Sequence, residues 1–185
     1  TVFSGFTVQN CPDNGIEIFN NARPFLNNLI VKDNLKNGIY VENSWAGFPF
    51  IISCLIYNNG QSGVFSATSR ISLQGSTVVD NGMEGLYFNG YNEAYLYYNI
   101  FAYNKGKGVA YLPSSGSYLN VFASDFFGNG EIENFDNFVR GDSNWRIDPA
   151  FKDRVNDDYG LLPYSELIDR AVSDYSMSVN NDVNG

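Results

Sequence analysis

Short runs of alternating apolar and polar residues recur at a nearly fixed distance along this chain. Each run opens with a glycine, and the copies are 22 to 25 residues apart, at Gly15, Gly38, Gly63, Gly85 and Gly108. Apolar side chains return one residue after each glycine and seven and twelve residues before it, and also three residues after it except at Ser66. A fixed period in this range indicates stacked structural repeats, each too small to bury its apolar face alone.

Apolar positions two residues apart are typical of strands, because successive side chains in a strand point to opposite faces. The pattern predicts three short strands per repeat, joined by turns. A column of asparagines, four residues before the glycine, contains Asn34, Asn59, Asn81 and Asn104. We expect these amides to lie at a bend and to bond to the repeats above and below. We expect the glycine to close the following turn with a positive φ.

Leucine-rich repeats have a similar period and are the main alternative architecture. In that fold an extended or helical return would follow the asparagine. Here a second strand pattern follows it, and the apolar residues are mainly β-branched and aromatic, which favours strands throughout. The sequence therefore predicts an all-β parallel β-helix of about six rungs over residues 1–134.

The rungs resemble those of the right-handed parallel β-helix repeat family, the pectate-lyase-like superfamily. Asn34 to Val41, which runs Asn-Leu-Lys-Asn-Gly-Ile-Tyr-Val, is a representative copy. The resemblance implies a right-handed, single-stranded coil. The family includes pectate and alginate lyases, polygalacturonases, mannuronan epimerases, tailspikes and surface proteins. Repeat motifs of this kind specify the fold well and the function poorly.

Residues 135–185 abandon the repeat and are expected to form a closing strand and a small C-terminal cap within the same structural unit. Ser165 stands where a helix N-cap would, before Leu167, Ile168 and Ala171 at helical spacing, so a short helix is predicted. The segment also resembles a tail found in large secreted or surface β-helix proteins. That resemblance implies a C-terminal fragment of a longer extracellular or cell-surface protein.

Net charge is −9, and the excess lies mainly in residues 131–185, which hold 12 acidic and 5 basic residues. Such a chain is not expected to bind nucleic acid, because phosphate contacts need a basic surface. The acidic tail could bind calcium or only keep the rod soluble, and solubility is the simpler explanation. Cys11 and Cys54 fall in different columns, so both are expected to be free thiols. The sequence contains no stretch long and apolar enough to span a membrane.

Aromatic residues occupy an outward position, two residues after the glycine, in three consecutive repeats. Tyr40, Phe65 and Tyr87 would form a ladder of rings beside the longest loop, which contains Trp45 and follows Glu42. Rings in a row with neighbouring polar groups suit saccharides, and we name these five residues as candidate substrate-binding residues. The alternative is that the rings stack only for stability or are covered by another segment.

Catalytic candidates are few, because the chain has no histidine. That excludes Ser-His-Asp and Cys-His triads and histidine metal sites. Asp33 and Asp80 share a column and are candidate acids for a glycosidase, although each also precedes a turn asparagine and suits a turn role. Arg70 and Lys105 are candidate cations for a polysaccharide lyase, although solvated turn charges are the simpler interpretation. No metal ligand set is predicted.

Three large aliphatic residues, Ile30, Leu55 and Ile100, fall on a nominally outer face of the coil. We expect something to cover them, such as the C-terminal tail, a missing flanking domain or another subunit. The leading functional hypothesis is an extracellular or cell-surface β-helix that engages polysaccharide, within a lyase or glycosidase acting on acidic glycan. The alternative is a non-catalytic structural or adhesin rod.

Overall fold

Three parallel sheets run along a solenoid in the computed structural model, which describes residues 1–113, 117–131, 139–140 and 144–170. Sheet A contains β1 (Val2–Ser4), β4 (Phe25–Asn27), β7 (Phe50–Ile52), β10 (Arg70–Gln74), β13 (Glu93–Tyr97), β16 (Tyr118–Phe122) and β18 (Val139–Arg140). Sheet B contains β2 (Thr7–Gln9), β5 (Ile30–Lys32), β8 (Leu55–Tyr57), β11 (Thr77–Val79), β14 (Ile100–Ala102) and β17 (Asp125–Phe127). Sheet C contains β3 (Ile16–Ile18), β6 (Ile39–Glu42), β9 (Val64–Ala67), β12 (Leu86–Gly90) and β15 (Val109–Pro113).

Each turn of the chain contributes one strand to each sheet, in the order A, B, C, so the all-β parallel β-helix is confirmed. The described residues give five complete turns, two strands of a sixth (β16 and β17) and one strand, β18, of the turn that follows. The position where the sixth glycine is replaced, Glu133, lies outside the described residues.

The strand register follows the sequence columns. Ile16, Ile39, Val64, Leu86 and Val109 pair in series along sheet C. The corresponding columns of sheets A and B pair in the same way, for example Leu26 with Ile51 and Val31 with Ile56. These side chains form one continuous buried core inside the coil. Because the side-chain period of a strand is two, this register directs every other residue outward.

The asparagine column forms the predicted ladder at the bend between sheets B and C. Each side-chain Nδ2 donates to the Oδ1 of the asparagine one turn further on, over 2.9 Å from Asn34 to Asn59 and 3.0 Å from Asn59 to Asn81. The ladder continues through Asn104 to Asn129. The same Oδ1 atoms accept backbone N–H groups, so buried polar groups at this bend are satisfied by one another.

The glycine column is needed for close approach between turns, and the expectation of a positive φ is wrong. The glycines of this column do not appear among the residues with positive φ. A Cβ added at Gly38 would lie 2.6 Å from the carbonyl oxygen of Gly63 and 2.8 Å from Asn59 Nδ2. The same crowding recurs at Gly15 and Gly85. No side chain larger than hydrogen fits there without moving the next turn.

Left-handed backbone occurs instead at the column five residues before the glycine. Asp33 and Asp80 have φ of 52° and 55°, and Asn10, Asn58 and Tyr103 share this conformation. Aspartate and asparagine tolerate the left-handed region better than most residues. Both candidate acids therefore form the turn that leads from sheet B into the asparagine ladder.

After the solenoid the chain forms an antiparallel hairpin of β19 (Phe151–Asp153) and β20 (Asp158–Leu161), joined by a 3-10 turn at Arg154–Asn156. Tyr159 is buried between this hairpin and sheet B, against Tyr57, Val79 and Ala102. Ile30, Leu55 and Ile100 pack half-buried against the same cluster. The chain's own hairpin thus covers this face at least in part, and a flanking domain over it stays a prediction.

The short helix predicted after Ser165 is wrong for the residues that the structure describes. The Ser165 hydroxyl oxygen does accept the N–H of Leu167 at 3.3 Å, as an N-cap would. Residues 166–169 nevertheless form only hydrogen-bonded turns. Ala171, which the helical spacing required, lies outside the described residues. One capping hydrogen bond does not offset the cost of starting a helix in so short a segment.

Both cysteines are free, as their columns predicted, and Cys54 is buried in the core.

Burial raises the pKa of the Cys54 thiol to about 11. Above pH 9 the unfolded chain releases this proton while the folded chain keeps it, so stability falls as pH rises towards 11. We expect a loss of about 1.4 kcal/mol per pH unit from this group in that window. Urea unfolding at pH 8.5 and 10.5 measures it, and Cys54→Ser should reduce the difference. An equal pH dependence in both proteins would contradict it.

Candidate functional site

A stack of aromatic rings lies on the outer face of sheet C, as the column predicted. Tyr40 and Phe65 are 5.2 Å apart between ring centroids and nearly parallel, at 8°. Tyr87 follows at 5.2 Å from Phe65, tilted by 37°. Phe19 packs on the other side of Tyr40 at 5.8 Å. We call these four residues the ring stack. The ring faces of Tyr40 and Phe65 pack against neighbouring rings, so these two residues present mainly ring edges to solvent.

Residues 43–49, which join sheet C to sheet A, form a loop tied down at its base. The side-chain Oδ1 of Asn21, one turn earlier, accepts the backbone N–H of Trp45 at 2.8 Å and that of Ala46 at 2.9 Å. The backbone N–H of Ser44 donates to Ser69 Oγ, one turn later, at 3.1 Å. These bonds span neighbouring corners of the coil, so the loop is positioned by the solenoid itself.

The loop leans over the corner onto the outer face of sheet A. Trp45 packs against Tyr91 at 4.7 Å between ring centroids, and Phe48 meets Tyr95 edge-on at 5.3 Å. The guanidinium carbon of Arg70 lies 5.6 Å from the Phe48 ring centroid. We call the six residues gathered here the corner cluster: Trp45, Phe48, Arg70, Tyr91, Glu93 and Tyr95.

A charged pair lies among these rings. Arg70 Nε is 2.9 Å from Glu93 Oε2, and the Tyr95 hydroxyl donates to Glu93 Oε1 at 3.1 Å. The side chain of Arg70 is 36% exposed and that of Glu93 is 20% exposed. Burial, reinforced by the hydrogen bond to Glu93, raises the pKa of Tyr95. The phenol is therefore a neutral donor at neutral pH and is poorly suited to act as a base.

Asp33 and Asp80 both lie away from the corner cluster, and Asp80 is brought to the hairpin. Arg154 donates from Nε and Nη2 to the two carboxylate oxygens of Asp80, and the Tyr159 hydroxyl donates to the same carboxylate at 3.1 Å. Asp33 lies 3.3 Å from the Lys32 ammonium, which also reaches Asp157 in the hairpin. The partners of Asp80 fix the hairpin on the coil, whereas Asp33 is paired with Lys32 on the coil itself. Their catalytic role stays a prediction.

The two candidate cations lie at different corners. Arg70 begins β10 at the corner between sheets C and A, whereas Lys105 is exposed in the turn between sheets B and C. The structure therefore does not bring them together. Glu42 ends β6 next to Tyr40, and its charge contributes to a raised Tyr40 pKa behind the larger effect of burial. Trp45 is the one predicted binding residue that lies in the corner cluster beside Arg70.

Sequence reasoning missed Phe48, Tyr91, Glu93 and Tyr95. The Arg70–Glu93 pair could have been found, because both stand 15 residues before a repeat glycine and pair directly in the sheet. Tyr91 and Phe48 could not be placed, because they occupy corner segments whose conformation the columns do not fix.

Within the described ranges, no three histidine, cysteine, aspartate or glutamate side chains come close enough together to hold a metal ion. The last 15 residues of the acidic tail lie outside those ranges. Among the described residues, no helix has the length and apolar character needed to cross a membrane.

Replacing Arg154 with alanine is expected to loosen the hairpin without unfolding the coil. The change removes the paired hydrogen bonds to Asp80 and a cation–π contact of 3.8 Å with Tyr103. We expect a cost of about 1–2 kcal/mol, since this pair is partly exposed. Amide hydrogen exchange should accelerate in β19 and β20 and stay unchanged in β5 to β9. Lys152→Ala, an exposed hairpin cation, is the control, and unchanged exchange in Arg154→Ala would contradict the anchoring role.

The family model described as "Right handed beta helix region" matches residues 1–148 of this chain. Two solved structures share the fold. The pectate lyase Pel9A superposes with a TM-score of 0.61 at 15% identity, covering 75% of this chain and 41% of that protein. The periplasmic alginate epimerase AlgG superposes with a TM-score of 0.61 at 16% identity, covering 78% of this chain and 38% of that protein. The chain thus spans about two fifths of the length of either protein. No curated protein sequence matches it.

Proposed function

Because this chain belongs to the right-handed β-helix family, we propose that it is a polysaccharide-binding β-helix whose binding surface is the corner cluster. The two proteins of similar fold are named for acting on pectate and on alginate, both of which are acidic polysaccharides. Their likeness supports the fold, and the case for glycan binding depends on the surface described above.

The observation that carries the proposal is the position of Arg70. This half-exposed arginine begins β10 and lies beside aromatic rings of a loop, residues 43–49, that the solenoid holds in place. The rings of Trp45 and Tyr91 offer apolar surface that suits the CH groups of a pyranose. The Arg70 guanidinium offers hydrogen-bond donors, and the Tyr95 hydroxyl, whose proton is donated to Glu93, can accept a hydrogen bond from a sugar hydroxyl. Arginine matches a carboxylate in geometry and charge, which favours a uronate-containing glycan over a neutral one. Glu93 holds the guanidinium in place but also competes for it, so we expect moderate affinity.

Binding without turnover is the form of the function that this arrangement favours. Asp80 is engaged with the hairpin, Asp33 is paired with Lys32, and Lys105 lies at another corner from Arg70. The raised pKa of Tyr95 disfavours it as a base for proton abstraction. An extracellular or cell-surface location is part of the proposal, because polymeric acidic glycans are found there. A purely structural rod, in which the rings serve only packing, is the competing function.

The experiment compares retention of the chain on polygalacturonate and alginate with retention on neutral dextran and galactan. We expect retention on at least one acidic polymer, with Trp45→Ala and Arg70→Gln each weakening it about tenfold. Lys105→Gln, which removes an exposed cation at another corner, is the matched control and should bind as the wild type. Unsaturated-uronate absorbance and reducing ends are followed in parallel to detect lyase or hydrolase products.

Each outcome separates glycan binding at the corner cluster from one alternative. Retention that Lys105→Gln weakens as much as Arg70→Gln would mean unspecific charge attraction and would reject the corner cluster. If the chain is retained on none of the polymers, the structural rod remains as the function. Formation of a product would show that the chain is an enzyme. Arg70 and Tyr95 would then be mutated first, followed by Asp33 and Asp80.

A further inference from the structure

Among the described strands of sheet C, the ring stack ends at Tyr87. In the next strand, β15, the register places Ala110 directly beside Tyr87, where the three preceding strands carry Tyr40, Phe65 and Tyr87 themselves. In the described part of the chain, Phe65 is the one ring that packs against Tyr87. The face of Tyr87 that looks towards β15 therefore lies over a methyl group instead of a ring. Tyr87 and Ala110 are both half-exposed.

We propose that this face of Tyr87, above Ala110, is a subsite for one pyranose ring. The inner rings cannot serve in this way, because the faces of Tyr40 and Phe65 are only 5.2 Å apart at their centroids and exclude a third ring. The small side chain at Ala110 creates the room, and Leu112, 58% exposed on the same face of β15, adds apolar surface beside it. A pyranose presents axial CH groups that suit contact with an aromatic face.

The subsite is continuous with the corner cluster. Tyr87, Tyr91 and Tyr95 lie four residues apart on one stretch of chain, which passes from β12 around the corner into β13. The distance between successive tyrosines is at most roughly 13 Å, since four extended residues advance about 3.3 Å each. A glycan held at both places would run around one turn of the coil, across its long axis. The inference rests on the proposed function, because it names a second contact for the same glycan.

The sharpest test adds a ring instead of removing one. Ala110→Phe should extend the stack and fill the subsite while keeping every existing aromatic residue. Phenylalanine is favoured on strands, and the melting temperature should be equal to or above that of the wild type. Binding to the acidic polymer retained most strongly by the wild type should fall about tenfold. Glu17→Phe, which adds a ring at the opposite end of the same column, is the matched control and should bind as the wild type.

Removing single rings by alanine substitution is an independent test. Tyr87→Ala should weaken binding about as much as Ala110→Phe, whereas Tyr40→Ala, which removes an inner ring, should leave binding within about twofold. Wild-type affinity in folded Ala110→Phe would overturn the subsite and leave the corner cluster intact. Equal losses in Tyr40→Ala and Tyr87→Ala would also overturn it, because the stack would then act as a whole. If the wild type binds no glycan, the proposed function fails first, and the subsite fails with it.

Discussion

Replacing Asn81 with alanine is expected to lower the free energy of unfolding by roughly 3–5 kcal/mol, the largest effect of any single change considered. Asn81 is fully buried, and its Nδ2 donates to Asn104 Oδ1 at 2.9 Å and to the carbonyl oxygens of Ile56 and Val79 at 3.2 Å. Its Oδ1 accepts the backbone N–H and the side-chain Nδ2 of Asn59. Alanine removes the acceptor that these two Asn59 groups share and the donor to Ile56 and Val79, so buried polar groups lose hydrogen bonds that a methyl group cannot replace.

Urea unfolding followed by circular dichroism measures this loss. Gln61→Ala is the matched control, because Gln61 is exposed and its side chain accepts one hydrogen bond, of 3.3 Å, from Asn37 Nδ2. We expect that control to cost less than about 0.5 kcal/mol. Similar losses in the two variants would contradict the view that satisfaction of buried groups by the asparagine ladder holds the turns together.

Replacing Gly38 with alanine is expected to cost about 3 kcal/mol, through overpacking and not through φ. The new Cβ would lie 2.6 Å from Gly63 O, 2.8 Å from Asn59 Nδ2 and 2.9 Å from Ile56 Cγ2. The first contact is with backbone, which cannot rotate away, so two turns must separate locally. Their separation would also strain the asparagine ladder, and the penalty should add to the direct clash.

Gly106→Ala provides the comparison. A Cβ there meets Glu84 Oε1 at 3.1 Å, the end of a flexible side chain, and Met83 C at 3.2 Å. We expect its cost to be about 1 kcal/mol or less, measured as a smaller shift of the urea midpoint than for Gly38→Ala. If Gly38→Ala were as mild as Gly106→Ala, close approach could not explain the glycine column.

The columns of the sequence predicted the coil, its register and the asparagine ladder, because each of these repeats with the chain and depends on neighbours one turn away. Asn34 pairs with Asn59, and Ile39 with Val64, simply because they hold equal places in successive repeats. The role of glycine was misjudged, because a sequence does not distinguish a residue needed for its φ from one needed for its size. Gly38 and Gly63 lie against one another across turns, which is visible only once the turns are stacked.

The candidate site was predicted only in part, because it depends on segments that break the repeat. Tyr40, Phe65 and Tyr87 stack as their column required, and the Arg70–Glu93 pair follows from the same arithmetic. The path of residues 43–49 is set by Asn21, which accepts hydrogen bonds from the backbone of Trp45 and Ala46, an arrangement without a counterpart at the same corner of the other described turns. The hairpin contacts of Asp80 join residues 74 apart in sequence, which no local pattern could indicate.

Fluorescence of Trp45 during titration with an acidic oligosaccharide tests the central claim most directly. The chain has two tryptophans, so Trp145→Phe leaves Trp45 as the single reporter, within the corner cluster. Titration with oligogalacturonate and oligomannuronate should change its emission in a saturable manner, and Arg70→Gln in the same background should weaken the apparent affinity about tenfold. Unchanged emission with both oligosaccharides, in a protein whose circular dichroism matches the wild type, would contradict glycan binding at the corner cluster.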